Sequence, residues 1–254
     1  MSRYIDMDPL DVLRHEGELL ATAADDGFDR SVPPCPGWTV RDVVAHVSGV
    51  HRGRAEQVRG RHQERIDLPV TPPEGDGALL AWYREGLADL VQVLAATADD
   101  EPVWSWQRTN RTAGFWKRRM AHETTVHRVD VQSAFGDVTH VDDSVAIDGI
   151  DEVLDAILVA FSRRDVGGDG RTVAFRTGDR VWRVTPQPDR VDLDRSPGPA
   201  PGPVQATVSA EPSELYLWLW GRRPDESVHV EGDWSAAVWP RRRIARITGP
   251  RDAR

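Results

Sequence analysis

Three residues of this sequence have the types and spacing of a metal site. Glu123 and His127 are four residues apart in the run HETTVH at 122–127, so on a helix their side chains face one direction. His46 lies on another amphipathic segment. Two imidazoles and one carboxylate hold a divalent metal such as zinc with open coordination positions. The sequence therefore predicts a catalytic metal site with His46, Glu123 and His127 as ligands.

The other histidines near these ligands have different expected roles. The run at 122–127 only resembles the His-Glu-x-x-His signature, because His122 and His127 are five residues apart. At about 3.6 residues per turn, that spacing turns them roughly 140° from one another, which argues against His122 as a ligand. His51 lies five residues after His46. It is an alternative third ligand, and it could equally contact substrate.

An open position on such a metal can take water or an incoming thiol and lower its pKa. This chemistry needs no cysteine of the protein itself. Cys35 is the single cysteine and lies between Pro34 and Pro36. We interpret it as a small packed residue rather than a nucleophile. One cysteine also excludes an internal disulfide and a zinc site built on paired cysteines.

The composition is typical of a globular protein without a membrane span. The 254 residues are 29% charged and 39% hydrophobic, and no stretch approaches the ~18 apolar residues of a span or forms a secretory signal. We therefore expect a cytoplasmic protein with no membrane partner. The net charge of −9 and the sequence pI near 5.4 argue against a nucleic-acid partner.

Two basic runs interrupt the acidic composition, at 117–119 and 241–243. The first precedes the proposed ligands by about one helical turn. It can bind an anionic substrate or form a solvated helix face, and the residues leave both interpretations open.

Apolar periodicity predicts four helices in the first part of the chain. They cover Asp8–Ala24, a segment that begins after a capping Thr39, residues 78–97 and residues 115–135. The second would carry His46, and the fourth would carry Glu123 and His127. A four-helix bundle can gather inward-facing ligands from separate helices.

The sequence changes character near residue 165. A helix at 147–161 precedes strand-like stretches at 171–176, 180–185 and 205–209, with a further short strand at 190–193 in a proline-rich loop. Glu211–Gly221 then reads as a helix with Pro212 at its start. The predicted fold class is α+β, with a metal-binding helical bundle at 1–164 and a smaller C-terminal α+β domain at 165–254.

Two segments resemble the mycothiol-dependent maleylpyruvate isomerase family, a branch of the DinB-like metal-binding four-helix bundles. They are PGWTVRDVVAH at 36–46 and ETTVHRVD at 123–130. The resemblance covers nearly the whole chain, since the family joins such a bundle to a C-terminal α+β domain. The segment Glu214–Pro224 resembles the final helix of that domain. It implies that His46, Glu123 and His127 are zinc ligands and that mycothiol is the thiol cosubstrate.

The resemblance also implies a catalytic arginine in the C-terminal domain. Arg222 matches this position, and the adjacent Arg223 leaves the register open. Either side chain could hold a carboxylate bidentately. From the residues alone, an arginine that complements the C-terminal end of a helix dipole is the alternative.

The sequence therefore predicts a zinc-dependent thiol transferase or isomerase that activates mycothiol for attack on a small, anionic electrophile. The expected partners are that electrophile and the low-molecular-weight thiol, in a monomer or homodimer. One alternative is a zinc hydrolase in which His51 or Asp130 assists water. Another is a non-catalytic, metal-bound module that binds a ligand.

Overall fold

The computed structural model describes residues 8–163, 166–198 and 202–249. Within these ranges the chain forms two compact units, which divide between His140 and Val141. The first unit is helical, and the second combines helices with a sheet, so the predicted α+β class is confirmed. No helix of the described ranges is long and apolar enough to cross a membrane.

The first unit contains four long helices. They are α1 Pro9–Ala24, α2 Val40–Arg59, α3 Asp76–Ala95 and α4 Ala113–Ser133. Both α1 and α2 pack against α3 and α4, which makes a four-helix bundle. The helices predicted from apolar periodicity are confirmed, with starts shifted by up to two residues.

Local sequence explains where α2 and α4 begin. The Thr39 side chain accepts a hydrogen bond from the backbone N–H of Asp42, whose carboxylate accepts from the Thr39 N–H in return. This capping box satisfies N–H groups that have no partner inside the helix. Thr112 caps α4 through its side chain alone, which accepts a hydrogen bond from the Phe115 N–H. Each cap fixes the register of the histidines that follow it.

Burial holds α2 and α4 in place. Val40, Val43, Val44 and Val47 are all fully buried on one face of α2, as their helical spacing predicts. Most side chains of α4 are buried, around nearly its whole circumference. Glu123 and His127 are therefore positioned by a packed core on several sides of α4.

The second unit begins with α5, Asp143–Glu152, which continues as a π-helical segment, Val153–Val159. The strands are β1 Thr172–Thr177, β2 Arg180–Pro186, β3 Val191–Asp194, β4 Val204–Ser209 and β5 His229–Gly232. The later helices are α6 Pro212–Leu219, a 3-10 turn Asp225–Ser227, α7 Trp234–Ala237 and α8 Trp239–Thr248.

The five strands form one sheet in the order β3-β2-β1-β4-β5. Only β1 and β4 pair in parallel, and the other neighbours are antiparallel. The short strand predicted inside the proline-rich loop is β3. Helix α5 packs on α6, and the π-helical segment packs on β3 and α8, so all of these elements belong to the second unit.

Some sequence-based expectations differ from this architecture. The segment at 214–224 does not contain the last helix, because α7 and α8 follow it. The short strand β5 and these two helices were not predicted. The domain boundary between residues 164 and 165 stays a prediction, and it falls outside the described residues.

Candidate metal centre

The three predicted ligands lie together between α2 and α4. One donor atom each from His46, Glu123 and His127 lies within 4.8 Å of the other two. His46 Nε2 is 3.5 Å and His127 Nε2 is 3.4 Å from the same oxygen, Glu123 Oε1. Two imidazole nitrogens and a carboxylate oxygen are donors that zinc accepts. The side chains present therefore fit a divalent metal.

The cluster is accessible on one side. The His46 side chain is 38% exposed, whereas Glu123 and His127 are 19% and 12% exposed. A cavity of about 1000 Å³ opens at His46 and runs along α2 as far as Arg54, under the loop at 66–72. We call this cavity the α2 pocket. Small residues of α2, Ala45, Gly49 and Gly53, form part of its wall.

A buried carboxylate orients the His127 ring. Asp130 Oδ2 lies 3.0 Å from His127 Nδ1, and the Asp130 side chain is fully buried. With Nδ1 held, Nε2 faces Glu123 and His46. Metal-ligating histidines in proteins are commonly fixed by a carboxylate at the other ring nitrogen. Cys35 donates its Sγ–H to the same Asp130 oxygen at 3.4 Å.

A second charged residue orients Glu123. Arg119, four residues earlier on α4, pairs with Glu123 Oε2, which leaves Oε1 facing the two imidazoles. Burial opposes ionisation of Glu123, yet Arg119 and the hydrogen bonds from His127 and His46 hold the pKa of this carboxyl well below its ordinary value. Glu123 is therefore an anion, as a ligand must be.

The same neighbours favour positive charge on His127. Burial opposes protonation of the ring, but hydrogen bonds to Asp130 and Glu123 outweigh it and raise the pKa of His127 to about 9. The two carboxylates thus attract a cation to the space between the rings. A proton and a divalent metal compete for that space.

His51 does not join the cluster, although it was considered as a ligand. Its side chain is completely buried, with Nε2 3.0 Å from Thr124 Oγ1. Burial lowers the pKa of His51 to about 3, so the ring is neutral. His122 is also buried and lies outside the cluster, as its spacing predicted.

The two arginines considered for catalysis lie just after α6. Gly221 has φ +76°, and the Arg222 backbone N–H donates to Leu217 O at 2.7 Å, so α6 ends in a glycine-dependent cap. The Arg222 side chain donates to Trp220 O. Arg223 pairs with Glu214 of the same helix at 3.0 Å. Arg223 thus has a carboxylate partner within α6, and the catalytic role of Arg222 stays a prediction.

The basic run at 117–119 is engaged within the bundle. The ammonium group of Lys117 binds Asp99 at 2.6 Å and Thr97 O at 2.8 Å, and Arg119 is paired with Glu123. Both side chains therefore already have acceptors within the protein. A different arginine, Arg54, lines the α2 pocket.

Sequence reasoning missed the contacts of Asp130 with His127 and of Arg119 with Glu123, and the place of Arg54 in the pocket wall. Two of these carried a local signal. Asp130 follows His127 by three residues, and Arg119 precedes Glu123 by four, and both spacings bring side chains together on a helix. No local spacing pointed to Arg54, because the residues around it belong to α4 and to the loop at 66–72.

Fold and site together define a class: a helical bundle with a His2Glu cluster that fits a divalent metal, followed by an α+β unit. Residues 13–132 match the family model described as the mycothiol maleylpyruvate isomerase N-terminal domain. Residues 144–241 match the model of the MDMPI C-terminal domain. The two matches are consecutive and cover most of the chain. It therefore belongs to the mycothiol-dependent maleylpyruvate isomerase family of enzymes.

Solved structures share this fold. A crystal structure of mycothiol-dependent maleylpyruvate isomerase is 16% identical, with a TM-score of 0.57, and the match covers 91% of this chain and 96% of that one. A histidine-to-alanine mutant of mycothiol-dependent maleylpyruvate isomerase matches over the same shares, with 15% identity and a TM-score of 0.58. No curated protein sequence matches this chain.

Proposed function

We propose that this protein binds a divalent metal, zinc in our proposal, through His46, Glu123 and His127, and uses mycothiol as a thiol cosubstrate. The bound thiol attacks a small electrophilic, anionic substrate, in an isomerisation of the maleylpyruvate type or in an S-transfer. We also propose a cytoplasmic location and a monomeric or homodimeric state.

The observation that carries the proposal is the convergence of three donor atoms within 4.8 Å, one of them from His46, which also lines the α2 pocket. Arg119 and Asp130 each hold one ligand from outside this cluster. A metal bound there would stabilise the deprotonated form of a thiol near neutral pH. Family membership supports mycothiol as that thiol.

The protein offers no thiol of its own for this role. Cys35 is its single cysteine, and its Sγ–H is directed at the buried carboxylate of Asp130. This contact supports our proposal that the nucleophile comes from a cosubstrate.

A hydrolase would need a base beside the water that it activates. The two residues predicted for that role are both engaged elsewhere. His51 is buried against Thr124, and Asp130 binds His127 and Cys35. The described residues thus favour a thiol nucleophile over water.

The proposed isomerisation consists of three steps. The thiolate adds to a conjugated double bond, the new single bond rotates, and the thiolate leaves as the double bond re-forms. An S-transfer ends after the first step, with proton uptake at the carbon that received the electron pair. In our proposal Arg222 binds a carboxylate of the substrate and orients it for attack.

The experiment is a calorimetric titration of mycothiol into the zinc-loaded protein and into His127→Ala, with metal content measured in both. His62→Ala is the control, because His62 is partly exposed and lies outside the cluster. We expect His127→Ala to lose tight zinc binding and mycothiol binding while the bundle stays folded. His62→Ala should keep both.

Unchanged zinc content in His127→Ala would contradict the ligand assignment. Zinc binding without any mycothiol affinity in the unmodified protein would reject the thiol proposal, and it would favour a hydrolase or a ligand-binding module. Turnover of an activated ester without thiol would separate these last two.

A further inference from the structure

Arg54 is a partly buried cation without a counter-ion. Its Nη1 atom is inaccessible to solvent and has no hydrogen-bond partner, and within residues 8–163, 166–198 and 202–249 its side chain forms no hydrogen bond or ion pair. The guanidinium carbon lies 4.7 Å from the centroid of the Trp116 ring. One face of the guanidinium is therefore covered, while its N–H edge has no acceptor.

The other arginines in this part of the bundle each have a hydrogen-bond acceptor or a carboxylate partner, although Nη1 of Arg52 is also buried without one. Arg52 donates to Trp82 O at 2.8 Å, Arg119 pairs with Glu123, and Arg128 pairs with the buried Glu16 at 2.7 Å. Burial lowers the pKa of Arg54, although a guanidinium stays charged at neutral pH. Arg54 differs from its neighbours in having a charge that the fold leaves unmatched.

The two carboxylates that act electrostatically on Arg54 are Glu123 and Asp67. Each has another partner, because Glu123 binds Arg119 and Asp67 binds Arg65 at 2.9 Å. The Asp67 side chain is also 81% exposed. Neither carboxylate neutralises Arg54, and Arg65 adds repulsion.

Arg54 and the metal cluster lie at two levels of the same helix pair. Arg54 is eight residues after His46 on α2, and its stacking partner Trp116 is seven residues before Glu123 on α4. At 1.5 Å per residue, the two levels are roughly 12 Å apart along the bundle. Both His46 and Arg54 line the α2 pocket, so this cavity connects them.

An unpaired buried charge destabilises the folded state unless a partner compensates it. The ligand must be an anion that reaches the N–H edge of the guanidinium from the pocket. A carboxylate fits best, because its two oxygens match the planar fork of an arginine whose face is already stacked on an aromatic ring.

We propose that Arg54 binds a carboxylate of the substrate inside the α2 pocket and thereby makes the site selective for small carboxylic acids. This inference deepens the proposed function and rests on it for the reacting partner. Arg54 would bind the acid at one position along the bundle axis, and the metal cluster lies at another position along the same axis.

The test measures carboxylate binding separately from metal and thiol binding. Succinate is the probe because it has no double bond to react with a thiol, and succinamide is its neutral counterpart. Both are titrated calorimetrically into zinc-loaded wild type, Arg54→Gln, Arg54→Lys and Arg59→Gln. Arg59 is the matched control, since it lies on the same helix but is 46% exposed and pairs with Glu56 and Asp89.

We expect Arg54→Gln to weaken succinate binding at least tenfold and to leave succinamide binding, zinc content and mycothiol affinity unchanged. Arg59→Gln should match wild type throughout. Arg54→Lys keeps the charge and loses the fork, so its succinate affinity should lie between the two. If Arg54→Gln does not fold, the lysine variant still tests the inference. Succinate affinity in Arg54→Lys equal to that of wild type would reject bidentate binding by the guanidinium.

Succinate affinity in Arg54→Gln within twofold of wild type, or no succinate binding in wild type, would overturn the inference and leave Arg54 as a stacking partner of Trp116. Loss of mycothiol affinity in Arg54→Gln would also overturn it, because Arg54 would then bind the thiol. Failure of the proposed function would give a different result. Wild type would then bind neither zinc nor mycothiol, but it would still bind succinate in a way that depends on Arg54.

Discussion

Asp130 Oδ2 lies 3.0 Å from Nδ1 of His127, on the side of the ring opposite to the metal cluster. This contact sets the tautomer and the orientation of the ring, so that Nε2 is the nitrogen available to a metal. The helix spacing alone brings His127 near Glu123, but only Asp130 decides which nitrogen faces it.

Replacing Asp130 by asparagine tests this relationship. We expect Asp130→Asn to weaken zinc binding by about 10- to 100-fold, because the ring loses a charged partner that orients it and makes it a better donor. Zinc affinity is measured by competition with a chromophoric chelator. The control is Cys35→Ser, which keeps a donor to Asp130 and should keep zinc affinity and turnover. Equal zinc affinity in wild type and Asp130→Asn would remove Asp130 from the site.

The proximity of His46, Glu123 and His127 could be predicted from sequence because much of their geometry is local. Glu123 and His127 share a helix face by spacing, and the capping box at Thr39 together with the valines of α2 predicts where His46 lies on its helix. Placing His46 against α4 also required the bundle, which the lengths and apolar faces of four helices indicate.

The missed features depend on contacts between distant segments. Arg54 is unpaired only because α4 brings Trp116 to it and the loop at 66–72 supplies no acceptor for its edge. Strand β5 has four residues and no buried side chain, so it shows no alternation and forms by pairing with β4. Helices α7 and α8 did carry sequence signals, because α8 is amphipathic and Asp233 and Pro240 are helix-start residues.

Substitutions at Arg222 and Arg223 test which of the two arginines has the catalytic role. We expect Arg222→Ala to keep zinc and mycothiol affinity and to lower kcat/KM for an anionic electrophile by about 10- to 100-fold, the value of a charge-assisted hydrogen bond. Arg223→Ala should retain turnover, because Arg223 already pairs with Glu214. Steady-state kinetics with both variants check this expectation. The reverse result would assign the role to Arg223.

The α2 pocket can be filled without disturbing the bundle. A Cβ atom built on Gly53 would meet nothing within 4 Å, and Gly53 lines the pocket between His46 and Arg54. We therefore expect Gly53→Leu to fold, to gain up to about 1 kcal/mol from helix propensity and to retain zinc. Substrate affinity should fall at least tenfold.

Gly77→Leu is the control for this substitution. Gly77 lies in the first turn of α3, and a Cβ there would also meet nothing within 4 Å, but Gly77 does not line the pocket. Both variants are compared by thermal unfolding, zinc content and KM. Wild-type KM in Gly53→Leu would show that substrate does not occupy this part of the cavity.

His51 should make the stability of the protein depend on pH. Burial lowers the pKa of His51 to about 3, whereas a histidine in the unfolded chain titrates near 6.5. Between these two values the unfolded state binds a proton that the folded state does not. The folded state therefore loses stability as pH falls below 6.5, by about 1.4 kcal/mol per pH unit from this residue.

Replacing His51 by glutamine removes this dependence and keeps a hydrogen-bonding group near Thr124. The free energy of unfolding in urea is measured for wild type and His51→Gln at pH 7.5, 6 and 5, after chelation of metal from both. Relative to pH 7.5, wild type should lose about 2 kcal/mol more than the variant by pH 5. Other groups titrate equally in the two proteins, so the difference isolates His51. Parallel pH profiles would mean that His51 takes up its proton in the folded state, and that the interior beside Thr124 accommodates charge.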